Sequence, residues 1–298
     1  MPFIRVPDSL VIFLKGMLMG MADIVPGVSG GTMALITGIY ERFVGALSSI
    51  NFRWITRRLR GDGEGAREGW RSIDWALLLP LFGGILLAMA IFAFVIDWLL
   101  DHHSGPTYAF FFGLILASAG FVSKYVERVD ASNLLSGALG FAVVVFVVGV
   151  EQLTSNHSLP VLFISGAVAV CAMILPGISG SLTLVILGQY DHFISAVKDL
   201  EAQDLVTFAA GAAVGILSFS RLLNWLLEHR RSVTMAFLFG CMLGALRVPL
   251  EVINEETDTS SVPALAVVVV AAVVGFAAVF VLERRSDRIR DRLGIETG

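Results

Sequence analysis

An eight-residue run, Ile24-Val25-Pro26-Gly27-Val28-Ser29-Gly30-Gly31, returns 150 positions later as Ile174-Leu175-Pro176-Gly177-Ile178-Ser179-Gly180-Ser181. Five of the eight residues are identical, and each copy sits inside apolar sequence. Proline ends the preceding helix, the glycines permit a sharp turn, and Ser29 and Ser179 are natural N-caps for a helix that follows. A helix start offers free N–H groups and the positive end of the macrodipole, which stabilises an anion by about 0.3 to 2 kcal/mol. Ser29, Gly30, Gly31 and Thr32, with Ser179, Gly180, Ser181 and Thr183, are therefore the candidate anion-binding residues. A phosphate monoester carries about −1.5 to −2 charges, and its desolvation exceeds what two dipoles return. A cation is expected nearby. Arg221 is the first candidate, about 10 Å of helical rise inside the end of an apolar element. Arg42 is the second, although its place more than ten residues past the break suits an interfacial anchor equally. Asp23, Glu41, Asp191 and His192 are ionisable groups at or near membrane segments and are candidates for coupling to protons or sodium.

These breaks must be held by a membrane bundle. The chain is 56% hydrophobic and 15% charged, with a mean hydropathy of +0.81, the composition of a polytopic membrane protein. The N-terminal run carries Arg5, Asp8 and Lys15 and lacks a small-residue cleavage pattern, so it does not read as a signal peptide. A backbone break within lipid survives only where protein buries it or where it lines a site.

Ten apolar elements are expected, at 10–25, 31–48, 75–100, 107–125, 134–152, 160–176, 180–197, 205–228, 232–247 and 262–283. They form two sets of five. Gly38, Tyr40 and Phe43 recur as Gly188, Tyr190 and Phe193 at the offset of 150. Further on the offset is 127, where Trp98-Leu99-Leu100 matches Trp225-Leu226-Leu227 and Thr107 to Gly113 matches Thr234 to Gly240. The difference, 150 − 127 = 23 residues, is the hydrophilic loop 51–74 that the second half lacks. The expected organisation is a first repeat, 1–152, a second repeat, 153–283, and a basic tail, 284–298.

An odd number of elements per repeat sends the second copy in from the opposite face. Basic residues agree: Arg53, Arg57, Arg58, Arg60, Arg67 and Arg71 crowd loop 51–74, and Arg284, Arg285, Arg288, Arg290 and Arg292 follow Glu283. Lys124, Arg128, Arg230 and Arg231 share that side. The segments 101–106 and 151–160 contain no Lys or Arg, while 198–204 and 248–261 are mainly acidic. Both termini are expected in the cytoplasm. Elements of sixteen residues rise only about 24 Å, against about 30 Å of hydrocarbon. The expected fold is thus all-α, with two inverted-topology repeats. Each has a re-entrant hairpin (10–48 or 160–197) and three spans (75–100, 107–125 and 134–152; 205–228, 232–247 and 262–283). Fully spanning hairpins would leave the same loop sidedness. Gly16/Gly20, Gly211/Gly215 and Gly240/Gly244 have the spacing of close helix packing.

Other chemistries find little support. No histidine occupies the middle of a span: His102, His103, His157 and His229 lie in loops or at ends. There is neither a His-Glu-x-x-His nor a Gly-Lys from which to build a phosphate loop. Cys171 and Cys241 lack metal-type spacing and read as buried thiols. Neither catalysis, a metal, a cofactor nor a nucleic-acid partner is expected.

Lys15-Gly16 leading into Pro26-Gly-Val-Ser-Gly-Gly-Thr32, then Gly38-Ile-Tyr-Glu-Arg42, resembles the bacterial polyprenyl-phosphate transporter family, long known only as a domain of unknown function. The resemblance covers essentially the whole chain. It implies translocation of undecaprenyl phosphate, the lipid carrier of cell-wall precursors, across the bacterial cytoplasmic membrane for reuse. It also raises the weight on Arg221, within Ser-x-Arg-Leu-Leu. Ser181 and Leu182 replace Gly31 and Thr32, so the halves should contribute unequally. Two other classes remain: a small-anion or metabolite transporter using the same helix ends, and a membrane lipid phosphatase, which lacks an evident base. Oligomeric state and driving force are not legible.

Overall fold

The structure, a computed structural model, describes residues 8–24, 29–50, 58–127, 129–149, 156–257 and 261–293. Val25 to Val28, Arg53, Arg57, Arg128, Glu151, Gln152 and Asp258 lie outside the described residues. Every regular element among those described is helical. The helices are α1 (Asp8–Ile24), α2 (Gly30–Ile36), α3 (Tyr40–Ser49), α4 (Gly63–Arg71), α5 (Trp75–Val122), α6 (Ala131–Gly149), α7 (Leu159–Ile174), α8 (Gly180–Ile186), α9 (Tyr190–Asp199), α10 (Ala202–His229), α11 (Arg231–Ala245), α12 (Arg247–Glu256) and α13 (Val262–Leu293). Six segments are long and apolar enough to cross a membrane, so this is a multi-pass membrane protein.

The two expected elements 31–48 and 180–197 each divide in two. Gly38 (φ +69°) ends α2 and Gly188 (φ +66°) ends α8, both in the left-handed region where glycine carries no Cβ penalty. Gly38 N donates to Leu35 O and Ile39 N to Ala34 O; Gly188 N and Gln189 N repeat the pattern on Val185 O and Leu184 O. These paired bonds satisfy the last carbonyls and stop the helix. Three further boundaries differ from expectation. Loop 51–74 contains α4, the acidic stretch after Ala245 forms α12, and α13 runs on into the basic tail as far as Leu293.

The 127-residue correspondence extends to backbone angles. α5 is kinked at His103 (φ −143°, ψ 43°), and Arg230, its counterpart between α10 and α11, has φ −140° and ψ 44°. Thr107 Oγ1 donates to His103 O and Thr234 Oγ1 to Arg230 O. Trp98 stacks on His102 at 5.0 Å, and Trp225 on His229 at 5.1 Å.

Small residues set the helix contacts. A Cβ on Gly16 would collide with Leu81 O and one on Gly20 would lie 2.5 Å from Ile85 O; Gly211 and Gly215 stand likewise against Phe163 O and Ala167 O. α1 thus lies along the first part of α5 as α7 lies along α10. The third spans exchange partners: Gly140 and Gly240 bring α6 against α11, while Gly113 and Gly275 bring α13 against the second part of α5. Such contacts let backbones approach where lipid supplies no hydrophobic drive between helices. The segments Trp98–Tyr125 and Arg231–Glu256 are 56% buried, against 17 to 28% for the other four, so they form the centre of the bundle. The peripheral spans expose Leu79, Leu86, Phe94, Leu135, Phe146 and Val270, a surface suited to lipid rather than water.

Candidate functional site

Ser29, in extended backbone (φ −125°, ψ 134°), N-caps α2, its Oγ accepting from Gly31 N at 3.1 Å. Asp23, at the end of α1, takes the next donor: Gly30 N reaches Asp23 Oδ1 at 2.6 Å. At the other end of α2, Lys15 Nζ donates to Thr37 O at 2.7 Å. Eight residues separate Lys15 from Asp23, about 12 Å on a helix, and α2 is about 10 Å long. One face of α1 therefore sets an anion at the positive end of α2 and a cation at its negative end, each complementing the dipole. Thr32 is fully buried, and its hydroxyl has no partner among the described residues.

The second motif has the same backbone and different chemistry. Met173, at the position corresponding to Asp23, stands against Gly180 with its Cγ and Sδ. Ser179 occupies the N-cap position (φ −94°, ψ 137°) without a side-chain cap bond. Its Oγ instead meets Ser181 Oγ at 2.8 Å, and Thr183 Oγ1 donates to Ser179 O at 2.9 Å. Gly180, Ser181 and Leu182 carry the first orphan amides of α8, and no carboxylate is bonded to them among the described residues. Gly177 makes the turn with φ +86°, and a Cβ there would lie 2.8 Å from Cys241 O.

The two motifs meet. Ser29 Oγ donates to Leu175 O at 3.1 Å, Tyr40 OH donates to Ile174 O at 3.1 Å, and a Cβ on Gly31 would come 2.9 Å from Ile174 O. The hydroxyls of Ser29 and of Tyr40, the first residue of α3, thus satisfy carbonyls released at the end of α7. Ser29, Thr32, Ser179 and Thr183 are all buried there.

The remaining predicted residues lie elsewhere. Arg42 makes a two-bond pair with Asp74, at 2.8 and 3.2 Å, and this guanidinium holds the Asp74 carboxyl below its ordinary value. Glu41 pairs with Arg231 at 2.9 Å. Arg221 is exposed and donates to Ile50 O at 2.9 Å, a cation on the C-cap carbonyl of α3. Asp191 is exposed. His192 Nε2 pairs with Asp204 Oδ2 at 2.7 Å and stacks on His157 at 4.3 Å; His157 Nδ1 in turn meets the amide oxygen of fully buried Gln189 at 3.0 Å. Candidate metal ligands are His192, Glu201 and Asp204, whose donor atoms lie within 4.8 Å of one another. Sequence reasoning missed this network because no spacing rule links His157 to His192. It also missed the Lys15–Asp23 clasp, although the i, i+8 spacing on one helix was available.

Residues 19–263 match the family described as VCA0040-like, undecaprenyl phosphate translocase-like. The chain belongs to this family. A relative in Vibrio cholerae serotype O1, named polyprenyl-phosphate transporter, is 43% identical over 242 residues, covering 80% of this chain and 77% of its own. A Staphylococcus aureus relative of the same name is 30% identical over 251 residues, covering 78% and 83%. No solved structure matches. The family match begins within α1 and ends within α13, so it includes both motifs and every contact between them.

Proposed function

We propose that this chain carries a polyprenyl phosphate, undecaprenyl phosphate in the bacterial cytoplasmic membrane, from one leaflet to the other, with the phosphate head passing where the two motifs cross. The crossing itself carries the reading: Ser29 and Tyr40 tie one break to the other at Leu175 and Ile174. Matched angles at His103 and Arg230 and the exchanged third spans support two repeats. Their odd element count and the distribution of arginines favour inverted copies, with α1–α3 and α7–α9 as re-entrant hairpins and both termini cytoplasmic.

The phosphate is assigned first to the second motif, where Ser179, Gly180, Ser181 and Thr183 present hydroxyls and amides without a carboxylate. Ser29, Gly30, Gly31 and Thr32 form the other half-site, in which Asp23 and phosphate compete for Gly30 N. Protonation of Asp23 removes that competition, which makes it the foremost coupling group; Glu41, Asp191 and His192 stand farther out. Arg221 and Arg42 receive the head at the cytoplasmic mouth. The isoprenoid tail remains in lipid, where an apolar cleft of about 420 Å3 between α6 and α11, lined by Gly137, Phe141, Phe239 and Leu243, offers it a surface. Transport of this kind requires no bond to be made or broken.

The direct test is uptake of labelled undecaprenyl phosphate into proteoliposomes. The double variant Ser179→Ala/Ser181→Ala should lower uptake at least tenfold, and Arg221→Ala severalfold. Undiminished uptake by the double variant would remove the second motif from the phosphate path, and undiminished uptake by Arg221→Ala would remove that arginine.

A further inference from the structure

The 23-residue insertion that distinguishes the halves does more than carry topogenic charge. Its described part contains α4, capped by Asp62, whose Oδ1 accepts from Gly65 N at 2.8 Å. Arg58, Arg67 and Arg71 converge with Trp70 on a cleft of about 280 Å3. Arg67 and Arg71 are four residues apart, so like charges face each other on one side of the helix, an arrangement that is unfavourable without an anion. No acidic side chain lies within ion-pair distance of any of the three among the described residues.

A second observation sets the depth of this cleft. The Trp70 ring packs on Trp75 with centroids 4.6 Å apart, and Trp75 Nε1 donates to Trp70 O at 3.1 Å. Trp75 is the first residue of the first long apolar segment. Tryptophan is enriched at headgroup level at the mouths of spans, which favours a depth near the lipid phosphates for the cleft that Trp70 lines. The planar fork of arginine matches two phosphate oxygens at once.

We infer that Arg58, Arg67 and Arg71, with Trp70, form a binding site for the phosphate headgroup of an anionic phospholipid. The second half of the sequence has no counterpart of loop 51–74, and retention of a phospholipid by this cleft does not depend on the transport reading. Each arginine near an anionic surface is expected to raise affinity about fivefold.

The test uses the full chain in nanodiscs of phosphatidylcholine containing increasing phosphatidylglycerol, with retained lipid read by native mass spectrometry. The wild type should retain phosphatidylglycerol selectively. The variant Arg58→Gln/Arg67→Gln/Arg71→Gln should lose roughly a hundredfold in apparent affinity, the product of three fivefold steps. Circular dichroism and gel filtration monitor its folding; should it not fold, Arg71→Gln alone should show the fivefold loss. Wild-type retention by the folded triple variant would overturn the site, as would wild-type retention by Arg71→Gln where only that variant folds. Displacement of the lipid by excess inorganic phosphate would assign the cleft to a soluble anion and overturn the lipid assignment.

Discussion

The first motif and the second share a backbone and differ in what touches the helix start. In the first, a carboxylate from Asp23 and a hydroxyl from Ser29 already hold the Gly30 and Gly31 amides, and Tyr40 is buried and bonded to Ile174 O. In the second, Met173 replaces the carboxylate, Ser179 and Ser181 bond to each other, and Tyr190 is 38% exposed. The two motifs share the turn, the cap position and the glycine stop. They do not share the charges. In the first half Asp23 and Ser29 already hold the helix-start amides, whereas in the second no carboxylate among the described residues does so; under the proposed function this difference would separate a coupling half from a binding half.

Exchanging the distinguishing residues should break this division most strongly. Met173→Asp would set a second carboxylate on Gly180 and close the open half, lowering lipid uptake by more than tenfold; Asp23→Met would make the halves alike and flatten the dependence of uptake on pH. Normal transport by Met173→Asp would mean that the open amides are not where phosphate goes. Next in size is Tyr40→Phe, which leaves the buried Ile174 carbonyl without its donor and should cost about 1 to 3 kcal/mol in thermal unfolding. The matching Tyr190→Phe should stay within about 0.5 kcal/mol, and equal effects would erase the contrast.

Smaller again is Ser181→Gly, which recreates the first motif in the second. Ser179 Oγ is then free to accept from the residue 181 amide as Ser29 does from Gly31, a cap worth about 1 kcal/mol. The midpoint should rise while uptake falls a few-fold, because a hydroxyl is lost from the site. Smallest is Arg42→Ala, which removes an exposed pair worth within about 1 kcal/mol. Because Arg42 holds the Asp74 carboxyl below its ordinary value, the pair stabilises the protein above the ordinary carboxylate range and loses that contribution as pH falls through the lowered value. Unfolding of Arg42→Ala should therefore respond less to acid than unfolding of the wild type, which a pH series of melting curves measures.

Much of the bundle was legible because it depends on local chemistry. Apolar runs reported the spans, and the offset of 127 marked the paired geometry at His103 and Arg230. Glycines four apart reported contacts now seen at Leu81, Ile85, Phe163 and Ala167. Gly38 and Gly188 also carried the signal of a helix end, but the continuous hydrophobicity around them favoured single elements at 31–48 and 180–197. The position of the Arg221 side chain was not legible. A charged residue within an apolar element suggested a place beside the motifs, yet its long side chain reaches Ile50 O at the end of α3.

Sequence alone determined the membrane class, the side-chain cap at Ser29 and the helix start after Ser179, and the family to which their motifs point, because hydropathy, proline and glycine act over a few residues. Only the tertiary structure decided that Asp23 and Lys15 clasp the two ends of α2, that the third spans exchange partners, and that one break is tied to the other through Leu175 and Ile174. The bond that ties the breaks joins residues 146 apart, and the third-span contacts join Gly113 to Ala272 and Gly275 to Phe110. Their partners are chosen by helix packing, and no local pattern encodes which carbonyl a buried hydroxyl will find.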